Sequence, residues 1–123
     1  MAQTAEKKEQ VKPIIVTDET TGNKYTLEFS RQSVAFTEGQ GFKPSLLIDN
    51  LVTQLPILWY GAFRMHHKEV SRHLTDKLLD NTNGLPPEVL ERLLKLYNVP
   101  RKALSRSDDD EEEVKNAATT FDM

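Results

Sequence analysis

His66, Glu69 and His73 stand at i, i+3 and i+7. On one unbroken helix that spacing sets two imidazoles and a carboxylate on the same side, and zinc takes such ligands. The sequence itself breaks the helix: Ser71 is an N-cap residue type placed directly before "RHLTDKLLDN", so His66 and His73 fall on different helices. The trio also departs from the H-E-x-x-H arrangement of zinc proteases. No complete ligand set remains, and neither a metal nor another cofactor is expected. The serines, Ser30, Ser33, Ser45, Ser71, Ser105 and Ser107, include none in a G-x-S-x-G elbow. Asp49, Asp76, Asp80, Glu88 and Glu91 occupy polar helix positions where solvated charge is ordinary, and no Gly-rich phosphate loop is present. The chain has no cysteine, which removes thiolate catalysis, thiolate zinc sites and disulfides together. The residue types point away from an enzyme.

The elements that would carry these side chains are individually punctuated. Residues 1–12 hold almost nothing that could be buried and read as a flexible arm. From Pro13, "PIIVTDETTGNKYTLEFS" supplies a β-branched run, a polar turn with Gly22-Asn23, and Tyr25, Leu27 and Phe29 alternating with Thr26 and Glu28; this predicts a hairpin. Ser30 caps a short helix with Val34 and Phe36 as its apolar side, closed by Gly39 and Gly41. Pro44 opens a helix with Leu47, Leu51 and Leu55 as one stripe, and Pro56 kinks or ends it. A further helix begins at Pro86-Pro87-Glu88 and is expected to stop at Val99-Pro100. After Leu104, six consecutive acids predict a disordered acidic tail over 105–123. The expected architecture is mainly α with a small N-terminal β-hairpin (α+β), four or five short helices forming one domain over 13–104, and disordered termini.

Charge narrows the partners. The net charge of −3 divides unevenly: residues 108–123 carry seven acids and one lysine, leaving the body at +3 with its basic residues scattered. A helix-turn-helix reading of "SRHLTDKLLDNTNGLPPEVLERLLKLY" meets a recognition helix on which Glu88 and Glu91 stand as prominently as Arg92 and Lys95, poor complements to phosphate. Nucleic acid is not expected, and a small DNA-binding regulator is kept only as an alternative. No run approaches the roughly 20 apolar residues of a membrane span, and "MAQTAEKKEQVK" lacks the apolar core of a signal peptide, so the expected location is the cytoplasm.

"LPILWYGAFRMHHKEV" is more apolar than one buried face requires. Leu55, Leu58, Trp59, Ala62, Phe63 and His66 share a helical face, which suits a core as well as an interface for Trp59 and Phe63. Tyr60, Arg64, Met65 and His67 lie beyond that stripe, and Tyr, Arg and Met are types enriched where proteins meet. Gly61 and Ala62 would let another helix come close. Trp59, Tyr60, Phe63, Arg64, Met65 and His67 are therefore the candidate protein-binding residues.

Three stretches are suggestive together: Tyr25-x-Leu27-x-Phe29-Ser30-Arg31 with Gln40-Gly41-Phe42, then Leu58-x-Tyr60-Gly61-Ala62-Phe63-Arg64-x-His66-His67, then Leu90-x-Arg92-Leu93-x-x-Leu96-Tyr97. Over about residues 25–104 the chain resembles the small tail assembly chaperones of long-tailed, non-contractile bacteriophages, especially those of phages infecting Gram-positive bacteria. The resemblance implies a non-enzymatic factor of the host cell cytoplasm that coats and solubilises the tape measure protein, recruits tail tube (major tail) protein, and is absent from the mature virion. It also implies self-association. A minor virion protein, such as a connector or tail completion protein, is the second alternative.

Overall fold

The structure, a computed structural model, describes residues 11–104. Residues 1–10 of the expected arm and the whole expected acidic tail, 105–123, lie outside the described residues. Val11 is partly buried against the core, so the described body begins slightly before Pro13.

Strands β1 (Ile14–Thr17) and β2 (Lys24–Leu27) form an antiparallel hairpin, with Ile14 opposite Leu27 and Val16 opposite Tyr25. The connection closes on itself: the Asp18 carbonyl accepts from Gly22 N–H at 2.7 Å, and the Asp18 N–H donates to the Asn23 carbonyl at 2.8 Å. Gly22 sits at φ +80°, a region that costs a glycine little. Period-two alternation turns Tyr25, Leu27 and Phe29 inward. The hairpin is followed by four helices, so the fold is α+β and mainly helical: α1 (Arg31–Gly39), a 3-10 turn (Pro44–Leu46), α2 (Leu51–Phe63), α3 (Arg72–Asp80) and α4 (Pro87–Leu104).

Caps placed the first boundaries. The Ser30 hydroxyl accepts from Ser33 N–H at 3.1 Å and the Ser33 hydroxyl accepts from Ser30 N–H at 2.8 Å, a reciprocal box that satisfies two otherwise orphaned donors. Ser71 does the same work singly, its Oγ accepting from Leu74 N–H at 3.1 Å, which separates His66 from His73.

Proline misled the reading in two places. The chain from Pro44 makes only a 3-10 turn, and α2 starts at Leu51 and passes through Pro56. The predicted stripe therefore does not exist: Leu47 is buried, Leu55 half-buried and Leu51 exposed. Pro56 is tolerated because the carbonyl four residues earlier belongs to the highly exposed Val52, where water can replace the lost donor. Likewise α4 continues through Pro100 to Leu104. Its last turn is held by Arg101, whose guanidinium lies 5.5 Å from the Tyr97 ring and donates to Asn98 Oδ1 at 3.0 Å.

The core is built around α2. Leu58, Trp59, Ala62 and Phe63 are all buried, as their 3.6-residue spacing requires. The Trp59 indole N–H donates to the Thr75 carbonyl at 2.8 Å, tying α2 to α3. On α1 the inner face is small and polar, Ser33 and Thr37 beside Val34, while Phe36 points partly outward. Gly61 explains this: a Cβ there would overlap Thr37 Oγ1 and lie 2.8 Å from Thr37 Cβ. The two backbones meet where neither carries a large side chain. Thr37 Oγ1 donates back to the Ser33 carbonyl at 2.7 Å, so its burial leaves no polar atom unpaired.

Two outcomes follow. Gly61→Ala should destabilise the domain by roughly 1–3 kcal/mol, read from urea unfolding midpoints, and Thr37→Ala should relieve only part of it because the Thr37 Cβ itself is too near. Burial, together with the hydrogen bond to Glu38 at 3.0 Å and that carboxylate's charge, pushes the Tyr97 phenol up to about 12 against a lowering pull from Arg101. Its folded value lies above its unfolded one, so its contribution is intact below about pH 10 and is lost as pH climbs toward 12, roughly 2–3 kcal/mol in all. Tyr97→Phe should flatten that alkaline limb of the stability curve.

Candidate contact surfaces

The candidate residues of the central stretch separate into three environments. Trp59 and Phe63 are buried, edge to face with ring centroids 5.5 Å apart, and belong to the core of this chain. They are not available to a partner while the domain stays folded.

His67 and its neighbour hold the hairpin. His67 Nε2 accepts the Thr26 N–H at 2.9 Å, which fixes the tautomer with its proton on Nδ1, and its ring meets Tyr25 edge-on at 5.2 Å. His66 Nε2 lies 2.8 Å from Glu28 Oε1, and Glu28 N–H donates to the Ala62 carbonyl at 3.1 Å. Thr26 of β2 and Glu28 just past it are thus clamped to the end of α2 and the residues that follow it. A depression of about 470 Å³ lies beside this clamp, bordered by His67, Glu69 and Ser71 among others. These are residue types that could do hydrolytic work, yet the Ser71 hydroxyl and His67 Nε2 are both engaged in the backbone bonds just described. His73 is exposed, and among the described residues no group of three or more His, Cys, Asp and Glu could hold a metal ion.

Tyr60, Arg64 and Met65 face outward together. With Phe36 of α1 and Arg72 of α3 they make a strip of two rings flanked by cations: Arg64 lies 4.4 Å above Phe36, Phe36 and Tyr60 are 5.4 Å apart in a tilted edge contact, and Arg72 stands 5.9 Å from Tyr60 while pairing with Asp76 at 3.0 Å. Each cation is drawn to the negative face of a ring. At one end the strip opens into a cavity of about 380 Å³ with Gln32, Phe36, Arg64, Met65 and Lys68 on its walls. Phe36 is not among the sequence candidates, because the sequence pairs it with Val34 as the apolar side of α1; the structure buries Val34 and leaves Phe36 half-buried on the flank.

A second surface was missed altogether. Leu46, Ile48, Leu51 and Val52 are 39, 78, 43 and 87% exposed, four large apolar side chains within seven residues at the entry to α2. The expected helical stripe concealed them by assigning this segment's leucines to one buried face. Gln54 makes the segment firm: its Oε1 accepts Lys43 N–H at 2.7 Å and its Nε2 donates to the Gly41 carbonyl at 3.4 Å. No helix among the described residues is long and apolar enough to cross a membrane.

The family described as Domain of unknown function (DUF5055) matches residues 1–121. No curated protein and no solved structure matches the chain.

His67→Phe should keep the aromatic packing on Tyr25 while stranding the Thr26 N–H, at a loss of about 1–3 kcal/mol. His67→Gln, which retains an acceptor, should recover part of that loss in the same chemical unfolding series.

Proposed function

The chain belongs to the family described as Domain of unknown function (DUF5055), and for it we propose the role of a phage tail assembly chaperone. It binds and solubilises the tape measure protein, recruits tail tube protein, and leaves as the tube polymerises. The observation that carries this reading is the exposed apolar knuckle Leu46, Ile48, Leu51 and Val52, a surplus of greasy surface on a domain that already has a closed core. The resemblance of the segments around Tyr25, Tyr60 and Arg92 to such chaperones supports the same reading.

The size of the knuckle suits reversible capture. Complete burial of a Val, Leu or Ile side chain contributes about 1.5–3 kcal/mol, and association costs several kcal/mol of lost freedom. One copy on one helix therefore binds weakly. A tape measure protein is a long apolar helix that offers many sites in a row, and copies seated side by side raise each other's local concentration. Self-association along the helix then holds the coat in place, and polymerising tube subunits strip it copy by copy. A deep pocket would bind more tightly and release more slowly.

Co-expression tests the role. The wild-type chain should keep the tape measure protein of the same phage in the soluble fraction, and the doubly charged variant Ile48→Asp/Val52→Asp should fail to do so while its thermal unfolding stays close to wild type, since both side chains are solvent-facing. Equal solubilisation by the variant would remove the knuckle from the mechanism. Recovery of the chain from purified virions in stoichiometric amounts would remove the chaperone role in favour of a structural one.

A further inference from the structure

We propose that the cavity between the start of α1 and the end of α2 is the docking site of the chain's own acidic run, Asp108–Glu113. The inference does not depend on the chaperone reading.

The cavity is cationic on an apolar floor. Arg64 and Lys68 stand on its walls beside Phe36 and Met65, and among the described residues no carboxylate lines it. Among the described residues Arg72 pairs with Asp76 and Lys95 with Glu91; neither Arg64 nor Lys68 takes part in either pair. Arg64 spends its guanidinium face on the Phe36 ring, which leaves its N–H edge for a carboxylate. On α4, Arg92 and Lys95 are interleaved with Glu88 and Glu91, and in its last turn, beside Lys102, Arg101 is turned onto the Tyr97 ring and donates to Asn98.

The complement is in the same chain. Asp108 to Glu113 are six consecutive carboxylates beginning four residues after Leu104, where the described chain ends. The reach is sufficient. Tyr97 is seven residues before Leu104 and packs on Phe29, with ring centroids 5.4 Å apart; Ser30, the next residue, lines the cavity. Seven helical residues span about 10 Å and a helix is about 10 Å across, whereas the nine residues from 105 to 113 can extend about 30 Å. The distal acids of the run, Glu111 to Glu113, can therefore pass around α1 to the cavity. Tethering gives it an effective concentration in the millimolar range, so weak ion pairs suffice to keep it seated. While seated it covers one end of the Arg64, Phe36 and Tyr60 strip, and any acidic protein surface that uses this strip must first displace it.

The absence of cysteine from the chain provides a clean test. A nitroxide on Asn116→Cys in the full-length, nitrogen-15-labelled chain should broaden the amide signals of Gln32, Arg64, Met65 and Lys68 at about 0.01 M salt. The broadening should vanish near 1 M salt, as the screening length falls from roughly 30 Å to about 3 Å. It should vanish equally when all six acids are replaced (Asp→Asn, Glu→Gln) and in Arg64→Ser/Lys68→Ser. A mixture of nitroxide-bearing unlabelled chain with isotope-labelled chain lacking the nitroxide should show none, which places the contact within one molecule. Broadening centred on Arg92 and Lys95, broadening that survives neutralisation of the run, broadening in the mixed sample, or none at all would each overturn the proposal.

Discussion

The fold turns on the approach of α1 to α2 at Gly61 and Thr37. Without a Cβ at position 61 the two helices close to a distance at which only small side chains fit between them, and most of the rest follows from that closeness. The inner face of α1 must be small, so Ser33 and Thr37 are buried, and each hydroxyl must find its partner within its own helix or cap. The rings of α1 and its approach are then displaced to the flanks. Phe36 is pushed outward against Tyr60, and Phe29 lies inward against Tyr97. One absent methyl group thus decides which aromatics make the core and which make a surface.

Period and punctuation account for what the sequence disclosed. The hairpin came from the alternation of Tyr25, Leu27 and Phe29, and the starts of α1 and α3 from Ser30 and Ser71, whose hydroxyls make the expected cap bonds. The buried set Leu58, Trp59, Ala62 and Phe63 came from a 3.6-residue stripe. What stayed illegible depended on contacts distant in the chain. The small residues Gly61 and Ala62 read as an invitation to another helix, and that helix is α1 of the same molecule. Pro56 and Pro100 read as boundaries because local rules forbid proline in a helix interior; at Pro56 the lost hydrogen bond falls on the exposed Val52, which spacing alone does not reveal, whereas at Pro100 it falls on the buried Leu96 and the helix continues all the same.

The histidines illustrate the same limit. Their clustering looked like chemistry, and their separation by the Ser71 cap argued against a shared site. Neither consideration identified their partners. His66 and His67 engage Glu28 and Thr26, about forty positions earlier, and so do for the hairpin what a third strand would do: they supply polar partners to a two-stranded ribbon that would be marginal alone. A neutral ring nitrogen serves as acceptor for an edge N–H, which also blunts β2 as a template for pairing with other chains.

The placement of the remaining exposed apolar surface follows from these constraints. Hairpin, α3 and α4 all pack against the faces of α2 or α1 that the Gly61 contact leaves open, while the segment before α2 is held from within by Leu47 and Gln54. Leu47 turns inward, so its neighbours Leu46 and Ile48 must turn toward solvent. Val52 then opens α2 far round the helix from the line of Gln54 and Leu58, while Leu51, in line with both, stays 43% exposed in the first turn. An apolar loop that simply frayed would collapse onto the nearest greasy surface and cease to be available. This one is fixed at both ends by buried groups, so its side chains stay presented in a set arrangement, and a partner helix of the kind proposed would meet them without the entropy cost of first ordering a loop.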